Sequence, residues 1–363
     1  MFLLKNFAVY AFANVLTAAV QFGIVFVFAE LLGAIQFGQF SIYSVIYVVF
    51  TMVASLGLPS AVQHAYFHVS KEDYKVLIST TIKAILSAAI ILGIIITLAY
   101  KWVSGYVNLP NQFVLLALVA ATSQTIVQIL LITLQCQSRA SKFLLIVALQ
   151  ILWQIIFATL FYTEGQLRWE SAAIAQALPP IFMAMFALVY FWRGGCRIAL
   201  WSPQLLRSSL AYSSPLVPHQ LATWGSTMAD RLIIVNYVGM AQVGVYSFAF
   251  QLAQVINVAS HSLNQTIVPI LYQELASPMS KWTRIRRLNQ LYALGLFVFS
   301  VFSLILVYMV FPRIFSDEYQ MSLDYVPWLF FSFFLLAVSR IESNFLLYYK
   351  RTRQLATATV LSS

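Results

Sequence analysis

The stretch "GAIQFGQFS" at residues 33–41 returns later in the chain as "GMAQVGVYS" at residues 239–247. Two glycines, a glutamine, an aromatic residue and a serine keep their places in both copies. The equivalent positions are Gly33 and Gly239, Gln36 and Gln242, Gly38 and Gly244, Phe40 and Tyr246, and Ser41 and Ser247. Their separation is constant, since 239 minus 33 and 247 minus 41 both give 206. A constant separation indicates either a repeat of a large unit or a recurrent turn at a helix entry.

The composition decides the class of protein. The chain is 61% hydrophobic and 9% charged, with a mean hydropathy of +0.84, whereas soluble domains are about 25% charged. Long apolar runs in a bilayer must be helical, because lipid offers no partners to the backbone. We therefore predict an all-α polytopic membrane protein. The net charge of +10 is spread over many short loops, so no nucleic-acid partner is expected.

Apolar stretches separated by polar breaks predict ten membrane spans. They cover residues 7–30, 39–62, 77–100, 112–135, 143–163, 171–192, 209–233, 243–267, 289–312 and 326–348, and an eleventh begins near Leu355. Most lysines and arginines lie in loops on the side of the N-terminus, which places the N-terminus in the cytoplasm. The first apolar run is predicted to be a span and not a cleaved signal. Cys136 and Cys196 are predicted to be free thiols.

Both copies of the repeated stretch stand at the entry to the second span of a series of six. Six is an even number, so both copies cross the membrane in the same direction, as in a parallel repeat of two lobes. We predict an N-terminal six-helix lobe over residues 1–207 and a second lobe over residues 208–363. A second lobe of equal length would end near residue 413, which is 207 plus 206. The chain is therefore predicted to be a fragment, with about four helices and the start of a fifth in its second lobe.

The segment "LAYSSPLVPHQLATWGSTMADRLIIVNYVGMAQVGVYSFAFQLAQV" at residues 210–255 resembles the Wzx-type O-antigen flippases of the polysaccharide-transporter family. The shared features are a proline-rich helix start, the pair Asp230 and Arg231, and a "GxYS" helix entry. The early stretches "KNFAVYAFANVL" and "LLGAIQFGQFS" resemble the same family. The family belongs with the multidrug-and-toxin exporters, so the resemblance implies their fold. It covers essentially the whole chain, but this chain is shorter than members with twelve to fourteen spans.

The resemblance also implies a function. The protein would flip an undecaprenyl-diphosphate-linked oligosaccharide, an O-antigen or other surface-polysaccharide unit, to the periplasmic leaflet of a bacterial inner membrane. Its partners would be this lipid-linked substrate, membrane lipids, a polysaccharide polymerase and chain-length proteins. No cofactor, metal or catalytic residue is expected.

Charged residues within or beside the spans are the first site candidates, because charges in lipid are costly. They are Lys83, Arg340, Glu342, Asp230, Arg231 and Glu30. Lys83 and Arg340 would bind the diphosphate from a cavity or, alternatively, extend to the membrane interface. Asp230, Arg231 and Glu30 would face the cavity or anchor helices at the outer interface. Asp230 and Arg231 are not expected to pair, since neighbours on a helix point about 100° apart.

Polar and bending positions form a second group of candidates. Pro215 and Pro218 would hinge or statically kink the seventh span. His219 would titrate near neutral pH or serve in packing. Along the eighth span, steps of three, four and four residues place a polar stripe on one face. Its members are Gln254, Asn257, His261 and Gln265, which would line a sugar path or hydrogen-bond to other helices.

Competing functions differ in the residues that they require. A cation-coupled drug exporter of the same fold needs a carboxylate inside a lobe, and Asp230, Glu342 and Glu30 are its candidates. A membrane enzyme of polysaccharide synthesis needs a large loop with positioned acids. The densest acidic cluster, Asp317, Glu318 and Asp324, is instead predicted to be a solvated loop. A structural or assembly protein would not require a repeat of two lobes, so this function is disfavoured.

Overall fold

The structure is a computed structural model that describes residues 2–163, 168–196, 201–214, 216–276 and 282–349. Within these ranges every regular element is helical, as the composition predicted. The helices are α1 (Phe2–Ser55), α2 (Leu58–Ala65), α3 (Lys71–Val107), α4 (Asn111–Cys136), α5 (Ala140–Thr163), α6 (Trp169–Arg193), α7 (Pro203–Ser213), α8 (Leu216–Met228), α9 (Asp230–Tyr237), α10 (Met240–Ala276), α11 (Trp282–Ile314) and α12 (Ser322–Tyr348). A short 3₁₀ turn, Asp317–Tyr319, precedes α12.

Eight helices in the described ranges are long and apolar enough to cross a membrane. The protein is therefore a multi-pass membrane protein. The prediction of ten spans differs from this count in two places. The first predicted span and most of the second lie in the single helix α1, and the seventh predicted span is divided among α7, α8 and α9.

Gly33 interrupts α1 with a non-helical conformation, φ 69° and ψ 167°. It divides the helix into a first arm, residues 2–32, and a second arm, residues 34–55. The rings of Phe28 and Phe40 lie 5.4 Å apart across this break, although twelve residues of straight helix would rise about 18 Å. The chain therefore bends sharply at one residue. The break predicted at residues 31–38, between the first two spans, is therefore wrong as a loop, because a glycine with positive φ makes the turn by itself.

The seventh predicted span, residues 209–233, is wrong as a continuous helix. α7 ends at Ser213, α8 begins at Leu216, and a turn at Ala229 separates α8 from α9. Pro215 lies outside the described residues. Pro218, in the first turn of α8, cannot donate a backbone hydrogen bond, which is compatible with a break just before it.

The second predicted span, residues 39–62, ends earlier than expected. The second arm stops at Ser55, and Leu56 and Gly57 then take left-handed conformations with φ of 50° and 67°. A Cβ at Gly57 would lie 2.9 Å from the Ser213 carbonyl oxygen, so the start of α2 packs closely on α7. The proposed lobe boundary at residue 207 falls inside α7 and stays a prediction.

The two copies of the repeated stretch cross each other in the core. A Cβ at Gly38 would lie 2.2 Å from the Met240 carbonyl oxygen, and a Cβ at Gly244 would lie 1.9 Å from that of Ala34. Both contacts join residues at equivalent places, since 240 minus 34 and 244 minus 38 are both 206. The hydroxyls of Ser41 and Ser247 share a hydrogen bond of 2.6 Å across the same crossing. The repeat is therefore explained by a close, nearly symmetric contact between two backbones.

Both cysteines lie at the ends of helices. Cys136 and Cys196 are free and half-buried, as expected. Cys196 follows the last turn of α6, and burial raises the pKa of its thiol to about 11. At neutral pH this thiol is therefore protonated and reacts slowly.

Candidate functional site

A cavity of about 560 Å³ lies between both arms of α1 and the helices α4, α5, α6, α8 and α10. Its most distinctive feature is a set of seven glutamine side chains. They are Gln21, Gln124, Gln150, Gln154, Gln176, Gln251 and Gln254. The described residues that line this glutamine cavity include no charged side chain. Each primary amide both donates and accepts hydrogen bonds, so the cavity suits a neutral ligand rich in hydroxyl groups.

Hydrogen bonds hold several of these amides in place. Gln150 donates to the Gln124 Oε1 atom at 2.7 Å, and the Ser44 hydroxyl donates to the Gln176 Oε1 atom at 3.0 Å. Pro179 and Pro180 in α6 also line the cavity. Proline has no N–H group, so it removes the helical donor from a carbonyl four residues earlier. Pro179 and Pro180 therefore leave the carbonyls of Ala175 and Gln176 without helical donors.

Arg231 lines a small side pocket of about 130 Å³, which we call the annex of the glutamine cavity. Gln251, Gln254 and Ser44 line both the annex and the cavity. Arg231 is 5% exposed. Its Nε atom donates to the Ser247 hydroxyl at 3.1 Å, and its Nη1 atom donates to the Thr227 carbonyl at 3.1 Å. The guanidinium also lies 4.2 Å from the centre of the Phe250 ring. A buried cation is thus fixed at the crossing of the two repeat copies.

The expectation that Asp230 and Arg231 do not pair is wrong. Their Oδ1 and Nη1 atoms form an ion pair of 3.1 Å. Asp230 is the first residue of α9, and its Oδ1 atom accepts the Arg231 backbone N–H at 2.8 Å. This contact turns the carboxylate toward the arginine, whose long side chain bends back to meet it. The Tyr246 hydroxyl donates to the other carboxylate oxygen.

The other charged candidates lie outside the lining of the glutamine cavity. Lys83 lies on α3 with its Nζ atom 5.6 Å from the centre of the Trp201 ring. Arg340 donates from α12 to the side chains of Asn257 and Ser260 on α10. Glu342 is exposed. A role for Lys83 and Arg340 in binding diphosphate stays a prediction.

The polar stripe on α10 does not act as one surface. Gln254 lines the cavity, whereas Asn257 donates to Gln254 and accepts from Arg340. His261 is exposed. The side chains of Gln265 and His219 lie outside the described part of the structure, and Pro218 is exposed at the start of α8. The stripe thus supplies one residue to the cavity and another to helix packing.

A latch of hydrogen bonds joins the α11–α12 turn to the Gly33 bend. The Glu318 carboxylate accepts the Ala34 N–H at 2.9 Å, and the Tyr319 hydroxyl donates to the Ala29 carbonyl at 2.7 Å. Glu30 accepts the Ser316 N–H at 3.3 Å. The bend leaves Ala34 at the start of a helical arm without a helical acceptor. We call these contacts the Gly33 latch, and they place Glu30 away from the cavity lining.

We expect the variant Glu318→Ala to open the Gly33 latch locally. A hydrogen bond to a charged acceptor contributes about 1.5 kcal/mol, so exchange of the Ala34 amide hydrogen should accelerate about tenfold. Hydrogen–deuterium exchange of peptides covering residues 29–36 measures this. Asp317→Ala, at an exposed neighbouring carboxylate, is the matched control and should leave the rate unchanged. Equal exchange in both variants would show that the carboxylate contact is unimportant.

Comparison with known proteins places the chain in a family. The model of the family described as "Polysaccharide biosynthesis protein" matches residues 3–274. The chain belongs to this family. It is 21% identical over 373 residues to the Lsg locus putative protein 1 of Haemophilus influenzae, an alignment that covers 99% of this chain and 88% of the relative. It is 20% identical to an uncharacterized membrane protein of the same organism, over 100% of this chain and 88% of that one.

Solved structures confirm the exporter-like fold of this member of the polysaccharide biosynthesis family. One is described as an inward-facing conformation of a multidrug resistance MATE family transporter of the MOP superfamily. It aligns with a TM-score of 0.69 and 15% identity, over 95% of this chain and 83% of the other. Another, the MATE multidrug transporter DinF-BH, gives a TM-score of 0.59 and 14% identity, over 96% and 82%. At these identities the likeness establishes the fold alone.

Six of the seven glutamines in the cavity of this family member were missed by sequence reasoning, and Gln254 alone was a candidate. The sequence did contain one indication of a polar face, because Gln150 and Gln154 lie four residues apart on α5 and share one of its faces. Single polar residues on apolar helices are common, however. Their convergence depends on how the helices pack, which no single-helix pattern shows.

Proposed function

We propose that this protein flips an undecaprenyl-diphosphate-linked oligosaccharide across a bacterial inner membrane by alternating access. The glutamine cavity is the observation that supports this best. Its amides match the hydroxyl groups of sugars, which need many neutral donors and acceptors, and its family is named for polysaccharide biosynthesis. The expected partners are the lipid-linked substrate and membrane lipids, with a polysaccharide polymerase and chain-length proteins downstream.

Alternating access is supported by the close crossing of the two repeat copies. The cavity lies beside the glycine crossing of the two repeat copies, and the Gly33 latch joins the two halves of the chain near one end of that crossing. The basic loops predict that the N-terminus is cytoplasmic, which puts the Gly33 latch on the periplasmic side. In this orientation the latched state corresponds to a protein closed toward the periplasm.

A cation-coupled drug exporter is the second candidate, because the similar structures are described as multidrug transporters. Such an exporter needs a carboxylate that releases and binds its coupling ion within the cavity. The described lining residues of the glutamine cavity include no carboxylate, and Asp230 is paired with Arg231. The neutral amide lining therefore favours a sugar over a cationic drug. A membrane enzyme is disfavoured because the similar solved structures are described as transporters.

The glutamine cavity yields a direct prediction for transport. The double variant Gln150→Leu/Gln176→Leu should lower the flipping rate about tenfold or more, since each lost hydrogen bond costs about 1 kcal/mol. Leucine keeps nearly the same volume, so folding should be retained. The rate is measured in vesicles that contain an undecaprenyl-diphosphate-linked oligosaccharide, by its accessibility to an impermeant glycan-modifying enzyme.

The matched control for this experiment is Gln63→Leu, at an exposed glutamine on α2 outside the cavity. It should transport like the wild type. Failure of the folded wild-type protein to move the lipid-linked sugar would contradict the proposed function. Export of a lipophilic cation by the same vesicles would then favour the second candidate.

A further inference from the structure

A line of hydrogen bonds leads from Arg340 on α12 to the wall of the glutamine cavity. The Arg340 Nη2 atom donates to the Asn257 Oδ1 atom on α10, and its Nη1 atom donates to the Ser260 hydroxyl. The Asn257 Nδ2 atom donates in turn to the Gln254 Oε1 atom at 3.1 Å. Gln254 lines both the cavity and its annex, whereas Arg340 and Asn257 line neither. The three side chains therefore connect a half-buried cation to the cavity wall.

The guanidinium fixes the direction of every hydrogen bond in this line. Arginine has donors only, so the Asn257 atom that faces it must be the amide oxygen. The Asn257 NH₂ group then faces Gln254, and the Gln254 atom that accepts from it must also be an oxygen. This leaves the NH₂ group of Gln254 on the other side of its amide, where the side chain lines the cavity. A cation outside the cavity thus decides that Gln254 presents a donor to it.

The direction of the Gln254 amide determines what the annex can bind. Arg231, which lines the annex beside Gln254, likewise has donors only. An oxygen atom of a ligand accepts from both groups at once. A Gln254 amide turned the other way would bring its own oxygen toward that ligand oxygen, and two acceptors cannot bond each other. The annex therefore suits an oxygen-rich ligand only while the line of hydrogen bonds from Arg340 is intact.

We propose that Arg340 and Asn257 are positioning residues, which hold Gln254 as a hydrogen-bond donor to an oxygen atom of the substrate. Neither residue touches the ligand, and both act through Gln254. The proposal rests on the proposed function, because the oxygen belongs to the lipid-linked oligosaccharide in the cavity. It gives Arg340 a role in transport that needs no contact with the diphosphate.

The variant Asn257→Asp separates positioning from helix packing. The aspartate still accepts from Arg340, so α10 and α12 stay joined, now by an ion pair. A carboxylate has no N–H group, so Gln254 turns its NH₂ group toward residue 257 and its oxygen toward the cavity. We expect a melting temperature at or above that of the wild type. Flipping of the lipid-linked sugar, measured per folded molecule in vesicles, should nevertheless be about tenfold slower, because one substrate hydrogen bond is lost and an acceptor is left unpaired.

A double variant supplies a readout that a purely structural role would not change. Gln254→Leu removes the amide whose direction matters, so adding Asn257→Asp to it should cause no further loss of flipping. Asn236→Asp, at an exposed asparagine on α9, is the matched control for the added charge and should flip the substrate like the wild type. Normal flipping by Asn257→Asp, or an equal further loss in the Gln254→Leu background, would overturn the proposal and leave the proposed function intact.

Gln254→Glu tests the same assignment from the cavity side and does not depend on the folding of Asn257→Asp. Glutamate accepts from Asn257 as glutamine does, but it presents a second oxygen to the cavity in place of the NH₂ group. Flipping should again slow about tenfold or more. Wild-type flipping by Gln254→Glu would show that no donor is needed at this position. A wild-type protein that moves no lipid-linked sugar would instead contradict the proposed function, and this assignment with it.

Discussion

The variant Gly244→Ala should remove most of the folded protein from a detergent extract. The added Cβ would lie 1.9 Å from the Ala34 carbonyl oxygen and 2.8 Å from its carbonyl carbon. These are backbone atoms inside a helical arm, so no side-chain rotation can relieve the clash. The helices must separate instead, which destroys the close crossing on which both halves of the chain pack. Overpacking a core typically costs 1–3 kcal/mol, and we expect a cost of about 3 kcal/mol or more for a clash between backbones.

Fluorescence-detected size exclusion of a fusion to a fluorescent protein measures the folded fraction, and a thermal ramp measures the melting temperature. Gly38→Ala should behave similarly, because its Cβ would lie 2.2 Å from the Met240 carbonyl oxygen. Gly295→Ala is the matched control, as its Cβ would meet nothing within 4 Å. A wild-type yield and melting temperature for Gly244→Ala would mean that the two repeat copies do not cross as described.

The variant Arg231→Ala should lose both stability and transport. Arg231 joins three helices, since it contacts Asp230 in α9, Thr227 in α8 and Ser247 in α10. Ser247 in turn bonds Ser41 in α1. The arginine is buried and the Asp230 side chain is half-buried, so we expect removal of the arginine to cost about 3 kcal/mol, the lower end of the range for a buried pair, because Asp230 and Ser247 both lose a partner. For a protein of this size we expect a fall in melting temperature of roughly 5 °C or more.

The loss of transport should exceed what the loss of folded protein explains. Arg231 lies beside the glutamine cavity and provides a cation at its annex, where an anionic diphosphate would gain a charge-assisted contact. Transport is therefore compared per folded molecule. Arg313→Ala, at an exposed arginine that bonds its own helix at Met309, should match the wild type in both measurements. Normal transport per folded molecule in Arg231→Ala would limit this residue to a structural role.

Much of the fold was predictable because hydropathy is a local property. The all-helical class, the membrane location and the positions of most spans follow from apolar runs of sufficient length. The errors lie where backbone conformation depends on neighbours. Gly33 turns the chain in a single residue while the Gly33 latch holds the bend, and the seventh span divides at Ala229, where Asp230 pairs with Arg231.

The candidate site was predictable only in part. Arg231 and Gln254 lie at the cavity or its annex, whereas Asn257 and Arg340 bond each other between helices. Charge drew attention to the ionisable residues, because a charge in a membrane is costly and stands out. The cavity is instead lined by neutral amides. A neutral amide costs less free energy in a membrane than a charge does, so single glutamines occur on many helices and do not mark a site.

The sequence by itself determined that the chain is a helical membrane protein and that one stretch occurs twice at a fixed separation. Those properties reside in composition and in order along the chain, so they can be read without coordinates. Tertiary structure alone decided that the two copies touch at Gly38, Gly244, Ser41 and Ser247, and that glutamines from the helices α1, α4, α5, α6 and α10 meet in one cavity. Contacts of this kind depend on crossing angles and on helix rotation, which arise from the packing of the whole bundle and are not encoded in the periodicity of any single helix.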